Sequence, residues 1–415
     1  MRSPITWLAV AAAAVMGSIM TFSYIGGFLD PVGHLHDAPI AIVNADKGAQ
    51  AAGTTLDAGK QLEQQLTGSG GGKVDWRKLD TAAEARAQLR DNRLWGAIVI
   101  PEDFSSSIAR IGTSLGQAPP AQLDVLTNEG SGLFQSSFVE QLTTTALAET
   151  SDQTNQQLVA LLGQANATIA PSAAVTLGRP VVAETEAVVE LPAKAGRGIA
   201  PFYLAVMVTL TGFLAASIVG IGIDLLRGTE RLELFGRDLD LGRITRGGPW
   251  SQWTVKAIGT ALGAALGGLL AVGTAVGILG MDVASAPKAY GMGVLGAVAI
   301  GLVSLVFLTL FGLAGELLGV LFTTIFGVPS ALGVYPAQTV PGVFRFIAAW
   351  HPMRYLTDAM RSIAFFDATG AGLGRAVVMI TVWLVGALVV GAVAARLIDG
   401  RAPATTTAPE PAPAP

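Results

Sequence analysis

The chain has 415 residues, of which 51% are hydrophobic and only 13% are charged. Soluble domains carry about 25% charged residues, so this deficit excludes most classes of soluble enzyme. The net charge of −4, without a basic run, gives no support for nucleic-acid binding. The absence of cysteine excludes disulfides, thiol chemistry and Cys-ligated zinc, and three histidines leave little for a metal site, so we predict no metal and no cofactor.

The first apolar stretch, Ile5–Ile25, predicts a transmembrane helix, because a span needs about 20 apolar residues. A cleaved signal peptide is the alternative. However, only Arg2 lies in its basic region, and the stretch ends in Phe22 and Tyr24 without an Ala-x-Ala site. We therefore expect residues 1–28 to form a retained signal anchor.

Residues 29–198 are polar and predict an inserted extracytoplasmic α/β domain, because short apolar runs alternate with helical patterns. The motif Thr81–Glu84 matches a capping box ahead of a helix. The predicted strands are Pro39–Val43, Lys73–Leu79, Trp95–Ile100, Gln122–Leu126 and Val181–Leu191. The predicted helices are Thr55–Leu66, Ala85–Leu89 and Leu133–Ala165.

A polar cluster follows the first of these strands and is the best candidate for a polar site in this domain. It consists of Asn44, Asp46, Lys47 and Gly48. No triad, paired-carboxylate or metal-ligand spacing accompanies it, and Asn, Asp and Gly at the end of a strand are normal turn residues. We therefore favour a structural turn over a catalytic site.

Residues 199–396 predict a membrane domain of five further spans, which makes six in all. The run Ala289–Val334 would measure about 69 Å as one helix, which is too long for one span and right for two. We place its break within Gly312–Gly319. The other spans are Ile199–Leu226, Trp253–Leu279 and Arg375–Arg396. The fold class is thus an α-helical integral membrane protein with an inserted α/β domain.

Small residues recur every four positions along the third span. They are Gly259, Gly263, Gly267, Ala271 and Ala275. Such a ridge predicts close helix contact through van der Waals packing. The sequence leaves open whether the facing helix belongs to the same chain or to a second copy.

The loop 227–250 sets the predicted orientation. Its arginines are Arg227, Arg231, Arg237, Arg243 and Arg246. Arg2 and Arg396 fall on the same side of the membrane, which the positive-inside rule makes the cytoplasm. The α/β domain then lies outside the plasma membrane. The arginines of the outer segment 335–372 oppose this orientation, and we expect that segment to be amphipathic and partly buried.

Glu316 is the sole residue of the long apolar run that is charged at neutral pH. A glutamate inside a membrane is a candidate functional residue. The alternative is that Glu316 caps a short cytoplasmic turn, and we favour this second interpretation.

Three motifs give the chain a family resemblance. They are PIAIVNADKGA at Pro39–Ala49, LFGLAGELLGVLF at Leu310–Phe322 and the long segment Gly333–Phe366. Together with the order of one span, a large domain and five spans, they resemble the type-2 ABC permease superfamily and, within it, the YhgE/phage-infection-protein family. The resemblance covers most of the chain.

The resemblance implies a permease that moves a hydrophobic or amphiphilic substrate outward. Such permeases work as homo- or heterodimers with a separate cytoplasmic ATPase, and this chain has no Walker A motif of its own. The matching ATPase contact would involve Glu230, Arg231, Glu233 and Arg237; a solvated loop that only sets topology is the equal alternative. The segment 335–372 would form short re-entrant helices, with Trp350, His351, Pro352, Arg354 and Arg361 as its candidate residues.

One departure from the superfamily argues against ATP coupling. Exporters of this type carry an amphipathic helix before the first span, whereas only Met1–Pro4 precede it here. The second hypothesis is therefore a non-transporting receptor, or a scaffold for envelope or secretion machinery, and a membrane-embedded enzyme is a third with little support. The Ala/Pro/Thr-rich tail 397–415 is predicted to be disordered.

Overall fold

The computed structural model describes residues 4–26, 29–51, 54–69, 71–164, 173–226, 232–234, 237–239 and 248–399. The chain is mostly helical and divides into two compact units. The first unit comprises Met1–Val206, Val272–Met292 and Ile325–Val378. The second unit comprises Met207–Ala271, Gly293–Thr324 and Met379–Pro415.

The first unit contains an apolar helix, an α/β sheet region and a group of short helices. Its strands are β1 (Ala38–Asn44), β2 (Ala49–Ala51), β3 (Thr54–Leu56), β4 (Val74–Leu79), β5 (Gly96–Ile100), β6 (Ala121–Asn128) and β7 (Val181–Val189). Its first six helices are α1 (Pro4–Gly26), α2 (Ala58–Ser69), α3 (Ala82–Arg90), α4 (Phe104–Thr113), α5 (Leu133–Gln164) and α6 (Ala173–Gly178).

Five strands form one mixed sheet in the order β4-β1-β5-β6-β7. β1 runs parallel to both β4 and β5, β5 and β6 are antiparallel, and β6 and β7 are parallel. β1 and β5 are buried along almost their whole length, whereas the edge strand β4 alternates between half-buried and exposed residues. The continuous apolar runs therefore mark the strands that are covered on both faces.

The two faces of the sheet carry separate parts of the core. Ile42 and Ile98 pack on one face, where α2 and α4 cover them. Val43 and Val99 point to the opposite face, where Leu89 of α3 covers them. This alternation follows from the two-residue period of a strand, and it makes a sheet with helices on both faces.

The remaining elements begin where the sheet ends. They are α7 (Ala200–Leu226), β8 (Leu232–Leu234), β9 (Arg237–Leu239), α8 (Pro249–Val272), α9 (Ala286–Phe311), α10 (Leu313–Val320), α11 (Gly327–Ser330), α12 (Gly342–Ala348), α13 (Pro352–Phe365) and α14 (Leu373–Asp399). Two π-helical segments, Gly273–Ile278 and Leu321–Phe326, continue α8 and α10.

In the described part of the chain, four helices are long and apolar enough to cross a membrane. They are Ala200–Leu226, Pro249–Ile278, Ala286–Phe311 and Leu373–Asp399. The shorter apolar segments are Ala14–Gly26 and Ala314–Ser330. The four long helices coincide with predicted spans, while the count of six stays a prediction.

The break in the long apolar run falls at Gly312, at the start of the predicted interval. Gly312 has φ +56°, a conformation that glycine adopts readily, and it separates α9 from α10. The predicted capping box is confirmed, because the Thr81 hydroxyl accepts a hydrogen bond of 3.2 Å from the Glu84 amide. The five predicted strands are present, whereas α4 was not predicted and the helix predicted from Thr55 begins at Ala58.

The small-residue ridge of α8 faces α7 of the same chain. A Cβ added at Gly259 would lie 2.8 Å from Val219, and one at Gly263 would lie 3.7 Å from Ala215. A Cβ at Gly267 would collide with the Thr211 side chain. The ridge therefore lets the two helices approach until their side chains meet glycine backbone, as membrane helices do.

α7 and α9 approach each other as closely. A Cβ at Gly212 would overlap the Ala297 carbonyl oxygen and would lie 3.0 Å from the Gly301 amide. Gly301 in turn lies against the Gly212 carbonyl and Thr260 of α8. The absence of side chains at these glycines therefore allows α7, α8 and α9 to pack in mutual contact.

We expect Gly212→Ala to destabilise the membrane unit by about 1–3 kcal/mol, because a rigid backbone atom stands where the methyl group must go. The matched control is Gly222→Ala on the same helix, where an added Cβ meets nothing within 4 Å. Thermal unfolding of the purified protein in detergent should show a lower melting temperature for Gly212→Ala alone. Equal melting temperatures would contradict the close approach of α7 and α9.

Candidate functional site

The predicted turn after β1 forms a clamp between two helix starts. The Asp46 carboxylate accepts hydrogen bonds from the Gly59 amide at 3.1 Å and from the Ser105 amide at 2.9 Å. These amides belong to the first turns of α2 and α4, whose free N–H groups attract a negative charge. Asp46 also accepts a short hydrogen bond from the Ser105 hydroxyl. With its acceptors occupied in this way, Asp46 has a structural role.

The neighbours of Asp46 have different surroundings. Asn44 donates to Glu63 at 3.0 Å, and Glu63 also forms an ion pair of 2.7 Å with Lys78. These two hydrogen bonds lower the pKa of Glu63, Lys78 having the larger effect. Lys47 pairs with Glu102 at 2.6 Å on the surface, and Gly48 has φ +70° in the turn.

Replacing Asp46 with alanine should lower the free energy of unfolding by about 1–3 kcal/mol, because two helix starts lose their acceptor. Lys47→Ala is the adjacent control and should change it by less than about 1 kcal/mol, since its exposed ion pair contributes little. Differential scanning calorimetry of the full chain measures both. A catalytic turn would instead leave stability unchanged in Asp46→Ala.

The lowered pKa of Glu63 gives a pH-dependent contribution to stability. This contribution is complete above the ordinary pKa of 4.5 and is lost as the pH falls through the lower pKa of the folded state. At pH 7, Glu63→Gln should therefore lower the free energy of unfolding by about 1 kcal/mol, which is measured as a lower melting temperature. Near pH 3 it should have little effect. Glu140→Gln, at an exposed position on α5, serves as the control and should behave alike at both pH values. A Glu63→Gln effect that is independent of pH would contradict the assignment.

Glu316 lies in the first turn of α10, just beyond the Gly312 break. Its Oε1 accepts a hydrogen bond of 2.6 Å from the Ser217 hydroxyl of α7. Its Oε2 is buried and has no hydrogen-bond partner among the described residues. No side-chain cap hydrogen bond is formed at Gly312, the residue before α10, so the capping interpretation stays a prediction.

The end of α7, the start of α8 and the end of α14 share one end of the second unit. Lys256 forms a part-buried ion pair of 2.6 Å with Asp224. Arg396 lies over the Trp250 ring, 4.5 Å from its centre. Tryptophan and basic side chains are typical of residues at a membrane interface.

The segment between α7 and α8 contains the predicted ATPase contact. β8 and β9 form an antiparallel pair in which Glu233 lies opposite Asp238 and Leu234 opposite Arg237. Glu230 and Arg231 lie outside the described residues, as do the side chains of Glu233 and Arg237. The contact with an ATPase stays a prediction, and so does disorder of the tail, which lies outside the described residues from residue 400 onward.

The predicted outer segment forms α12 and α13, which pack into the first unit. His351 is buried, and its Nδ1 accepts a hydrogen bond of 3.2 Å from the Met353 amide, so it caps α13, which begins at Pro352. Trp350 is 39% exposed. Most residues of α13 are buried, including Arg361, whereas the side chains of Arg354 and Asp358 are half-buried.

Three charged residues of α13 face a polar cavity. Arg354 pairs with Asp358 at 3.6 Å, and Arg361 is buried one turn further along the helix. Arg361 donates to the Gly333 carbonyl at 2.8 Å, and Phe202 fills the space where a side chain at position 333 would lie. Burial raises the pKa of the Asp358 carboxyl, although the charges of Arg354, Arg361 and Arg375 oppose this shift. Burial also lowers the pKa of the Arg361 guanidinium.

The opposite wall of the cavity comes from the loop between α3 and β5. Its residues Asn92 and Arg93 are held in place by the fully buried Asn128, whose amide donates to the Leu89 carbonyl at 3.0 Å and to Asn92 at 3.2 Å. Sequence reasoning did not find this loop, because it is far from α13 along the chain. Asp358 was detectable, since it stands four residues after Arg354.

The candidate site residues do not gather in one place. Among the described residues, no group of three or more His, Asp or Glu side chains lies close enough to hold a metal ion. The predicted candidates fall in separate places: the Asp46 clamp, the Glu316 pair, the glycine contacts and the polar cavity. Among the predicted site residues, Arg354 and Arg361 line one cavity together.

Four long apolar helices and an α/β sheet region define the chain as a helical membrane protein with a folded polar domain. Residues 11–389 match the family described as "Protein of unknown function (DUF3533)", so the chain belongs to this family. It is also 26% identical over 136 residues to "Uncharacterized protein YhgE" of Bacillus subtilis strain 168. This alignment covers 32% of the chain and 17% of that protein. No solved structure matches the chain.

Proposed function

We propose that the chain is the membrane subunit of an ABC-type exporter with six spans in the plasma membrane. Its α/β domain lies outside the cell, and a separate cytoplasmic ATPase powers the outward movement of a hydrophobic or amphiphilic substrate. The chain itself is not an enzyme and needs no cofactor. The resemblance of its motifs to type-2 permeases supports this assignment.

The observation that carries the proposal is the shared end of α7, α8 and α14. The Asp224–Lys256 pair and the Arg396–Trp250 contact lie at this end, and such residues are typical of a membrane interface. β8 and β9, which follow α7 in the chain, belong to the segment that we propose as the ATPase contact. In this proposal the ATPase pushes on the membrane helices through this contact. The helices then move together, because the glycine contacts among α7, α8 and α9 pack them too tightly to bend independently.

The exposure of the membrane helices supports a dimer. In α7 and α9, 56% of the most apolar stretch is buried within the chain, whereas in α8 and α14 only 17% and 22% are buried. The faces of α8 and α14 are thus open to lipid or to a second subunit, and we propose that a homo- or heterodimer covers part of them.

A second function is a non-transporting surface receptor or a scaffold for envelope or secretion machinery. The observation in its favour is the size of the sheet region, which has its own core on both faces and the 32-residue helix α5. In this case the outer domain, and not the segment between α7 and α8, would carry the partner.

The test is gentle purification of the tagged full chain, followed by mass spectrometry of the proteins that co-purify. We expect a stoichiometric ATP-binding subunit with the wild type. The double charge reversal Glu233→Lys with Arg237→Glu should reduce its recovery at least about tenfold, since charged contacts are lost, without changing the melting temperature. Glu140→Lys, on α5, is the control and should retain the subunit.

Two results would contradict the exporter. The first is an ATP-binding subunit that the charge reversal does not affect. The second is recovery of envelope proteins in stoichiometric amounts with no ATP-binding subunit, which would favour the receptor or scaffold.

A further inference from the structure

Two adjoining cavities lie between α13 and the sheet region of the first unit. Their volumes are about 350 Å³ and about 280 Å³. The residues that line both are Asn92, Arg93, Arg354, Asp358 and Arg361. The larger volume falls within the range of about 300–1,000 Å³ that is typical of small-molecule sites. We call the two together the arginine cavity.

The charge of the arginine cavity is positive. Four arginines, Arg77, Arg93, Arg354 and Arg361, line it together with two acids, Asp91 and Asp358. The two more exposed arginines each have a separate acid, since Arg77 pairs with Asp75 at 3.1 Å and Arg93 lies 3.7 Å from Asp91. The two more buried arginines, Arg354 and Arg361, share Asp358. The buried part of the cavity therefore carries an excess of positive charge.

Arg361 is the residue that points most clearly to a ligand. It is only 7% exposed, and its Nε has no hydrogen-bond partner among the described residues. Its one hydrogen bond in that part of the chain is to a neutral carbonyl, that of Gly333. A buried guanidinium that has only a share in one carboxylate, and whose Nε lacks an acceptor, is unfavourable, and an anion in the cavity would supply the missing acceptor.

Because the cations of the cavity are guanidinium groups, they favour some classes of anionic ligand over others. Guanidinium groups present several N–H donors in a rigid plane, which matches the oxygens of phosphate groups. Gln135 lines the smaller cavity, and its Oε1 is buried without a partner while its Nε2 donates to the Ser131 carbonyl. A ligand that carries a hydroxyl or amine beside its phosphate would satisfy this acceptor as well.

The position of the cavity relates it to the ends of the membrane helices. The Ala284 amide, just before α9, donates to the Ile363 carbonyl of α13 at 2.9 Å. Lys288, in the first turn of α9, donates to the Ala368 carbonyl at 2.6 Å. α13 is therefore tied to the point where an apolar helix starts, which is the level of lipid head groups.

We propose that the arginine cavity binds a phosphate group, as a monoester or diester, with Arg354 and Arg361 as its principal donors. The ligand is the head group of an amphiphile or a soluble phosphate, and both share this chemistry. This proposal does not depend on whether the chain transports a substrate, so it can be tested independently of the proposed exporter function.

The experiment uses the purified full chain in a maltoside detergent, which carries no phosphate. Native mass spectrometry measures binding of phosphatidylglycerol, with diacylglycerol of the same acyl chains as the neutral reference. A parallel titration with inorganic phosphate follows the melting temperature. Preferential, saturable binding of phosphatidylglycerol over diacylglycerol would identify a lipid head group, and a saturable rise in melting temperature with phosphate would identify a soluble phosphate.

Variants decide whether the binding occurs in this cavity. Arg354→Gln and Arg361→Gln should each weaken it at least about tenfold, which is the loss of one charge-assisted contact. Because Arg361 is buried and its variant could fail to fold, Arg354→Gln and Arg93→Gln provide the independent tests. Arg110→Gln, at an exposed position on α4, should bind like the wild type.

Two outcomes would overturn the proposal. One is the absence of saturable binding in both the lipid and the phosphate titrations. The other is equal binding by the wild type, Arg354→Gln and Arg93→Gln, which would place the ligand elsewhere on the protein.

Discussion

The buried side chain of Asn128 is the constraint on which the first unit depends. Its amide nitrogen donates to the carbonyls of Leu89 and Leu94, while its oxygen accepts from the Ser131 amide. One side chain thus fixes the end of α3, the start of β5 and the approach to α5. Because each bond satisfies a group that water cannot reach, loss of any one is costly. These bonds support the loop that carries Asn92 and Arg93, which lies opposite α13 in the arginine cavity.

The two units pack in different ways because water surrounds the sheet region whereas, in our proposal, lipid surrounds the helices of the second unit. In the sheet region, large aliphatic residues such as Ile42, Ile98 and Leu123 leave water and form the core. In the second unit, lipid is as apolar as a leucine, so burial alone gives no reason for helices to associate. Contact there depends on shape, which is why Gly212 and Gly301 stand where the backbones meet.

Sequence reasoning succeeded where one local pattern decides the outcome. The strands β1 and β5 are continuous apolar runs, the Thr81 cap is a four-residue motif, and Gly312 ends a helix that would otherwise be too long. It failed for α4, whose serine-rich start resembles a loop until Asp46 is placed against it. It also missed the arginine cavity, because the pairing of α13 with the loop at Arg93 depends on contacts between residues far apart in the chain.

The acceptor that holds Arg361 has a consequence for how this protein tolerates mutation. The acceptor is the main-chain carbonyl of Gly333, so no substitution at position 333 deletes it chemically. Any side chain there would instead collide with Phe202. Sensitivity at this position should therefore scale with side-chain volume, with alanine as the mildest replacement.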